Sequence, residues 1–432
     1  MKIEIPKTLS DLGVIFQNAN SSLFLVGGYV RNSLLGFVET DMDICGPMRF
    51  DDVQKLLDGT LFEANVINQK LGTLLIKSKI TNEEFEYTTW RKESYSSGGV
   101  HSPNQVSFVS DITQDAIRRD FTCNAIYYDI NTDKIVDLHQ GVQDTLAHIL
   151  KTVNAPSITF DDDGLRILRL VRMSCELDFV IDQECGEVAK QKISQLADIS
   201  QERFNKEIIS ILFSDYKYDA IKNPHSPTNG LNILSSWGAW GYIFRELSFS
   251  LGLNFVNEKL KTPWVKLLGI SPAIHRISVF TYEILKALEL EISSQNIEKI
   301  LGQNGIMLSK KEVILQTKLL CGLEQIKNLN KEEEKRIFIV ENSKYISRML
   351  DLAEIFNSYS DLKTIYKLML LDKAPLSLKE LNISGKDLIS NFPSIKKESY
   401  GDILNKILLL CANIPELNEK QKIINLIRGK IK

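Results

Sequence analysis

The 432-residue sequence is poor in the features that mark several common protein classes. Its six cysteines (Cys45, Cys123, Cys175, Cys185, Cys321 and Cys411) are scattered with no CxxC pair, which argues against a disulfide framework or a structural zinc. That pattern fits a reduced, cytoplasmic protein. The five histidines are also scattered, and no HD or HExxH pair offers a metal site of that kind. No uninterrupted apolar stretch approaches the length of a membrane span, so no contact with a membrane is expected. The segment MKIEIPKTLSDLG has no apolar core of the sort a secretory signal needs. Excess charge is lacking too: the formal net charge is −3. Nonspecific coating by nucleic acid is therefore not what composition suggests, although a local basic face depends on where the charges lie.

What remains is ordinary globular composition, 44% hydrophobic and 25% charged, with room for two to four domains. Over the first 140 residues, short strand-like runs alternate with helical ones. SSLFLVGG reads as a buried strand, YVRNSLLG as the helix after it, TDMDICG as a second strand, and FDDVQKLLDG as a helix closed by Gly59. GTLLIKSKI and EFEYTTWR look like paired strands, QVSFVSDI like another, and NAIYYDINTDKIVDL like a hairpin turning at Asn131–Asp133. After about residue 145 nearly every segment has helical periodicity, with breaks at NPHSPTNG, Thr262–Pro263 and Asn391–Pro393. The expectation is one α/β head followed by a long helical remainder.

Three constellations carry chemistry. In TDMDI, Asp41 and Asp43 are two apart, and on a strand such residues share a face. Two neighbouring carboxylates repel and call for a cation; a pair of solvated acids is the plain alternative. Thirteen residues earlier, Gly27 and Gly28 end a strand and open a helix, where bare backbone N–H groups suit a triphosphate and Arg31 adds a charge. Next, AIRRDFTCNA presents Arg119 for a phosphate, and Asp120 with Asn124 for a ribose hydroxyl. Third, in DDDGLRILR, Asp163 and Arg166 are three apart and on a helix would share a face. That spacing also suits a surface ion pair worth tenths of a kcal/mol. The chemical alternative has Arg166 donating to N3 of cytosine or N1 of adenine while Asp163 accepts from the exocyclic amine. Uracil and guanine present the reverse pattern, so one such pair selects C and A without a template. Arg169, which ends the stretch, joins the nucleotide-binding set.

In order and spacing, GGYVR with DMD, RRDFTCNA and DDGLR resemble the motifs of class II tRNA nucleotidyltransferases, the CCA-adding enzymes, a family that includes bacterial poly(A) polymerases. ISQERFNKEI resembles the family's SxERxxxE element and LNISGKDLI its GKDL segment, so the resemblance covers essentially the whole chain. It implies an α/β nucleotidyltransferase head of the polymerase-beta-like kind over residues 1–146. An all-α neck with the base-reading element (147–208), a body (209–325) and a tRNA-binding tail (326–432) follow. The implied reaction is template-independent addition or repair of the 3′-terminal CCA of tRNA from CTP and ATP, with release of pyrophosphate. Asp41 and Asp43 match the carboxylates that hold Mg²⁺. Glu86 in EFEYTTWR matches a Glu-x-Thr-Thr stretch and is the candidate third carboxylate, an ordinary edge-strand glutamate being the alternative.

Two positions depart from the family pattern. Asp162 stands where Glu is usual, and Asn32 replaces the Asp of GGxVRD, keeping a hydrogen-bond acceptor but losing a charge beside Arg31. The stretch RKESYSSGGVHSPNQVSFV, with its tip at residues 96–99, resembles the full-length loop of enzymes that add A after CC. CC-only addition, poly(A) synthesis and a catalytically silent RNA-binding relative are the competing readings. The acceptor stem and T arm of tRNA are the implied partner, with Lys310, Lys311, Lys396, Lys397, Lys420, Lys422, Arg428 and Lys430 as candidate phosphate contacts.

Overall fold

The computed structural model of the protein describes residues 3–38, 41–94, 104–221, 223–261, 264, 275–356 and 360–430. The tip expected at residues 96–99 and the break at 262–263 lie outside them. The chain divides into two compact units, Met1–Gly269 with Lys299–Leu308, and Ile270–Glu298 with Ser309–Lys432.

The first unit opens with helix α1 (Lys7–Asn18), strand β1 (Phe24–Val26), helix α2 (Gly28–Leu35), strand β2 (Asp43–Gly46) and helix α3 (Phe50–Leu57). Strands β3 (Phe62–Asn68), β4 (Thr73–Ser78) and β5 (Glu84–Thr89) follow, then β6 (Arg91–Ser94) and β7 (Gln105–Phe108), helix α4 (Ile112–Ile117), and the hairpin β8 (Ile126–Asp129) and β9 (Lys134–Asp137). Seven of the strands form one mixed sheet in the order β3-β4-β5-β2-β1-β8-β9, while β6 and β7 pair separately as a two-stranded ribbon. Only β2 and β5 run parallel among the pairs of the large sheet. Sequence analysis anticipated neither β3 nor β6. FEANVIN alternates at Phe62, Ala64 and Val66, but only Phe62 and Ala64 pack on the core and the rest of the strand is exposed.

Strand alternation decides which residues face which layer. Leu25 of β1, Ile44 of β2, and Phe85 and Tyr87 of β5 join the core built with Leu12 and Phe16 of α1, Val30 of α2 and Val53 of α3. Phe24, Val26 and Cys45 turn the other way, packing with Trp90, Ala116 and Tyr127. Asp43 and Glu86 therefore lie on the sheet face opposite the α1–α3 layer. Burial without a charged partner strong enough to offset it pushes the Cys45 thiol up to about 12, so it packs as an apolar residue.

Beyond the hairpin come α5 (Gly141–Leu146), α6 (Pro156–Asp162), α7 (Leu165–Leu177), α8 (Gln183–Gln191) and α9 (Gln201–Leu212). α7 is buried along most of its length, including Ile167, Leu168, Leu170 and Val171, as a helix packed on several sides must be. The WGAW stretch contributes to this core: Trp240 is fully buried, stacked with Phe244 at 5.8 Å.

The second unit is helical in its described residues. Its long helix Lys310–Ile326 starts at a capping box of Ser309 and Glu312. The GKDL segment forms the helix Gly385–Asn391, capped by Ser384 with Asp387. Among the described residues no helix is long and apolar enough to cross a membrane.

Candidate active site

The turn between β1 and α2 is made by Gly27, with φ 79° and ψ −135°. This backbone region is essentially closed to residues with a Cβ. A Cβ there would sit 3.8 Å from Asp43 Oδ2, so the first helical turn of α2 and the start of β2 meet. In the parallel register Asp43 lies opposite Glu86, and both are exposed. Asp41 falls before β2 and is also exposed, so the expected shared strand face of Asp41 and Asp43 does not form: the strand begins two residues too late. Exposed carboxylate oxygens on neighbouring strands suit a hard divalent cation that keeps much of its water. Among the described residues no three His, Cys, Asp or Glu side chains converge into a ready-made metal cage.

A cleft of about 390 Å³ opens beside this turn. From the sequence-based candidates its wall takes Gly27, Gly28, Arg31 and Asp43, and across from them Arg119, Asp120, Asn124 and Arg169. Arg31 is only 6% exposed, and three side chains hold it. Its Nε donates to Asn32 Oδ1 at 2.9 Å, Nη1 to Asn124 Oδ1 at 2.6 Å, and Nη2 to the Tyr218 hydroxyl at 3.3 Å. Asp120 accepts from Arg169 Nε and Nη2 on one oxygen, at 2.9 and 2.5 Å, and from Asn124 Nδ2 and the Phe121 amide on the other. Burial alone would raise the Asp120 carboxyl, but Arg169 beside it holds it well below the usual carboxylate range. The two groups expected at the ribose thus also serve as internal braces, tying α7 to the RRDFTCNA segment.

Arg119 owes its position to a residue that sequence analysis passed over. Asp115, in α4, is fully buried. Its Oδ2 accepts from Arg119 Nε and Nη2 at 3.2 and 3.1 Å and from the Tyr127 hydroxyl at 2.7 Å, while Oδ1 accepts from Arg118 Nη2 at 2.6 Å. Burial would raise this carboxyl as well, and the two arginines more than reverse that, keeping it charged. The signal was available: Asp115 precedes Arg118 and Arg119 by three and four, the helical contact spacing.

Asp163 and Arg166 behave differently, and the expectation that they share a helix face is corrected. α6 ends at Asp162, Asp163 is extended (φ −150°, ψ 105°), and α7 starts at Leu165. Gly164 makes the break close-packed, since a Cβ there would meet the Gln195 carbonyl at 2.7 Å. Asp163 instead accepts from the Leu165 amide at 3.0 Å and pairs with Arg203 at 2.8 Å. Arg166 donates to the carbonyls of Thr159 and Arg118, at 3.2 and 2.8 Å. Neither lines the cleft, nor do Asp41 and Glu86.

The helical segments add Arg172, Glu176, Lys217 and Tyr218 to the cleft wall. Arg172 sits between Glu207 at 3.3 Å and Glu176 at 3.7 Å, and burial raises both glutamates above their ordinary value. Nothing in the sequence marked Tyr218, which reaches Arg31 across 187 positions. Of the lysines and arginines proposed for tRNA, Lys310, Lys311, Lys396 and Arg428 are exposed. Lys420 pairs with Asp387 at 2.5 Å and Lys422 with Glu419 at 2.8 Å. The Lys397 and Lys430 side chains lie outside the described residues.

Residues 23–151 match the Poly A polymerase head domain family. Over 98% of its length the chain is 28% identical to a CCA-adding enzyme of Ligilactobacillus salivarius, covering 95% of that protein. It is 25% identical to one from Staphylococcus epidermidis, covering 96% of each. Among solved structures, the Bacillus stearothermophilus CCA-adding enzyme in complex with CTP superposes with a TM-score of 0.71 at 22% identity, over 98% of this chain and 97% of that one. The Thermotoga maritima CCA-adding enzyme complexed with tRNA superposes with a TM-score of 0.63 at 19% identity, over 100% and 97%.

Proposed function

We propose that this chain, homologous to the CCA-adding enzymes over 98% of its length, adds or repairs the 3′-terminal CCA of tRNA from CTP and ATP without a nucleic-acid template. The observation that carries the reading is the joining, in one cleft, of the Gly27–Gly28 turn, Asp43 and the arginines 31, 119 and 169. In the reaction the terminal 3′-oxygen of the tRNA forms a bond to the α-phosphorus. The bond from that phosphorus to the bridging oxygen breaks, and pyrophosphate leaves with the electron pair.

The backbone N–H groups at the start of α2 and the Arg31 guanidinium receive the triphosphate. Arg119, held by Asp115, takes a further phosphate oxygen. Asp120 and Asn124 offer their remaining hydrogen-bonding capacity to the ribose. Asp43, with Asp41 and Glu86 beside it, would hold Mg²⁺. When bound, that ion lowers the charge on the phosphates and favours the deprotonated 3′-hydroxyl. Asp163 and Arg166 read the base edge. Arg166 keeps N–H groups beyond those given to two carbonyls and the Asp162 carboxylate.

The head over 1–146, neck over 147–208, body over 209–325 and tail over 326–432 are proposed as working divisions, with the exposed lysines of the helical part on tRNA phosphates. Six unpaired cysteines, five of them buried, fit a cytoplasmic setting.

The test is a tRNA transcript lacking its last three nucleotides, incubated with Mg²⁺ and each nucleoside triphosphate singly and mixed, with 3′ ends sequenced. CCA and nothing further, abolished in the double variant Asp41→Ala/Asp43→Ala, is expected. A stop at CC or a long A tail would move the protein to another activity of the same family. Binding without incorporation would sink the enzyme reading.

A further inference from the structure

Among the described residues, the four arginines of the cleft wall are not equivalent. Arg119 rests on Asp115, Arg169 on Asp120 and Arg172 on Glu207, so each has a carboxylate partner. Arg31 has three side-chain partners, and all are neutral: Asn32, Asn124 and Tyr218. Its guanidinium is nonetheless nearly as buried as a core residue. A buried cation whose hydrogen bonds go only to neutral groups, with the Glu176 carboxylate acting on it across the wall, keeps most of its attraction for an anion.

Asn32 sets this balance. It is fully buried, and its Nδ2 donates to the Tyr218 hydroxyl at 3.2 Å, which turns Oδ1 toward Arg31 Nε. An aspartate of the same shape could accept the same Nε bond, with the Tyr218 hydroxyl reversing to become a donor. It would then place a negative charge 2.9 Å from the guanidinium, at the position where the related sequence pattern carries Asp. We propose that Asn32 is a positioning residue that orients Arg31 without neutralising it, so that the cleft binds the triphosphate of the incoming nucleotide more tightly than an aspartate at this position would allow. This rests on the reading of the cleft as a triphosphate site. The other charged groups on the wall, Asp43, Asp120, Glu176 and Lys217, are common to both cases and cancel in the comparison.

The experiment compares the full-length protein with Asn32→Asp and Asn32→Ser. Calorimetric titrations use CTP and inorganic tripolyphosphate as probes, and steady-state incorporation is measured alongside. Asn32→Asp should weaken both probes by about tenfold and raise KM for CTP and ATP alike, with kcat at saturation falling no more than about threefold. Asn32→Ser, which keeps a neutral acceptor, should lose less than about a third as much. Equal binding by wild type and Asn32→Asp overturns the inference, as do equal losses in the two variants, which would mark a merely structural role. A wild-type protein that binds neither probe overturns the triphosphate reading itself. Melting temperatures of all three proteins show whether any loss is one of folding.

Discussion

The cleft beside the Gly27 turn and the Asp163–Arg166 element answer to different rules. Gly27, Arg31, Asp43, Arg119 and Asp120 come from three separate segments, yet they face one space, and Arg31, Arg119 and Asp120 are braced there by partners such as Asn124, Tyr218, Asp115 and Arg169. Asp163 and Arg166 are three residues apart in the chain, yet they are parted by a helix break and occupied with other groups. Nearness in sequence did not join the second pair, and distance did not separate the first. A triphosphate has the same charge whatever its base, so its site can be rigid. The proposed reader, which would have to accept both C and A, is held instead by bonds to the Leu165 amide, Arg203 and two carbonyls.

The largest effect should come from breaking the rigid side. Asp43→Ala should cut incorporation by on the order of 10³-fold while leaving the melting temperature nearly unchanged, because the side chain is exposed. Single-turnover rates with a CC-ended tRNA would show this, and a loss below tenfold would remove Asp43 from the chemistry.

Asp115→Asn tests the brace instead of the contact. Removing one member of a buried ion cluster typically costs about 3–5 kcal/mol, so denaturant unfolding should show a large drop in stability. The pH dependence has a definite sign. The folded-state pKa of Asp115 is depressed, so its stabilisation is present above the unfolded value of about 4 and is lost as pH falls below it. Wild type should therefore lose more stability than Asp115→Asn on acidification from about pH 5 to pH 3. Parallel curves would contradict this.

Arg166→Ala sharpens the comparison from the other side. Discrimination of CTP and ATP against UTP and GTP should fall by about 10- to 100-fold, the worth of one good bidentate contact, while affinity for tripolyphosphate holds within about threefold. Unchanged discrimination would mean that another pair reads the base, with Arg172 and Glu176 next to be tested. Gly27→Ala should have the smallest effect on activity, a rise in KM for both nucleotides, while costing about 1–3 kcal/mol of stability from backbone strain.

Much of the head was legible because its signals are local. The continuous apolar run at Phe24–Val26, the alternation at Phe85–Tyr87, the glycines at the β1–α2 turn and the Asn131–Asp133 hairpin each act within a few residues. β3 was missed because its alternation is short and only Phe62 and Ala64 reach the core, and the close packing at Gly164 because the Gln195 carbonyl it meets lies 31 residues away. Tyr218 carried no pattern at all.

By itself, the sequence determined the α/β head with its helical remainder and the residue types able to handle metal, phosphate and base, since these follow from periodicity and from side-chain chemistry. Only the tertiary structure decided which charges are compensated. It gave carboxylates to Arg119, Arg169 and Arg172 and neutral amides and a phenol to Arg31, and it parted Asp163 from Arg166. Electrostatic pairing depends on distance in space and on the exclusion of water, and neither is written in the order of residues along a chain.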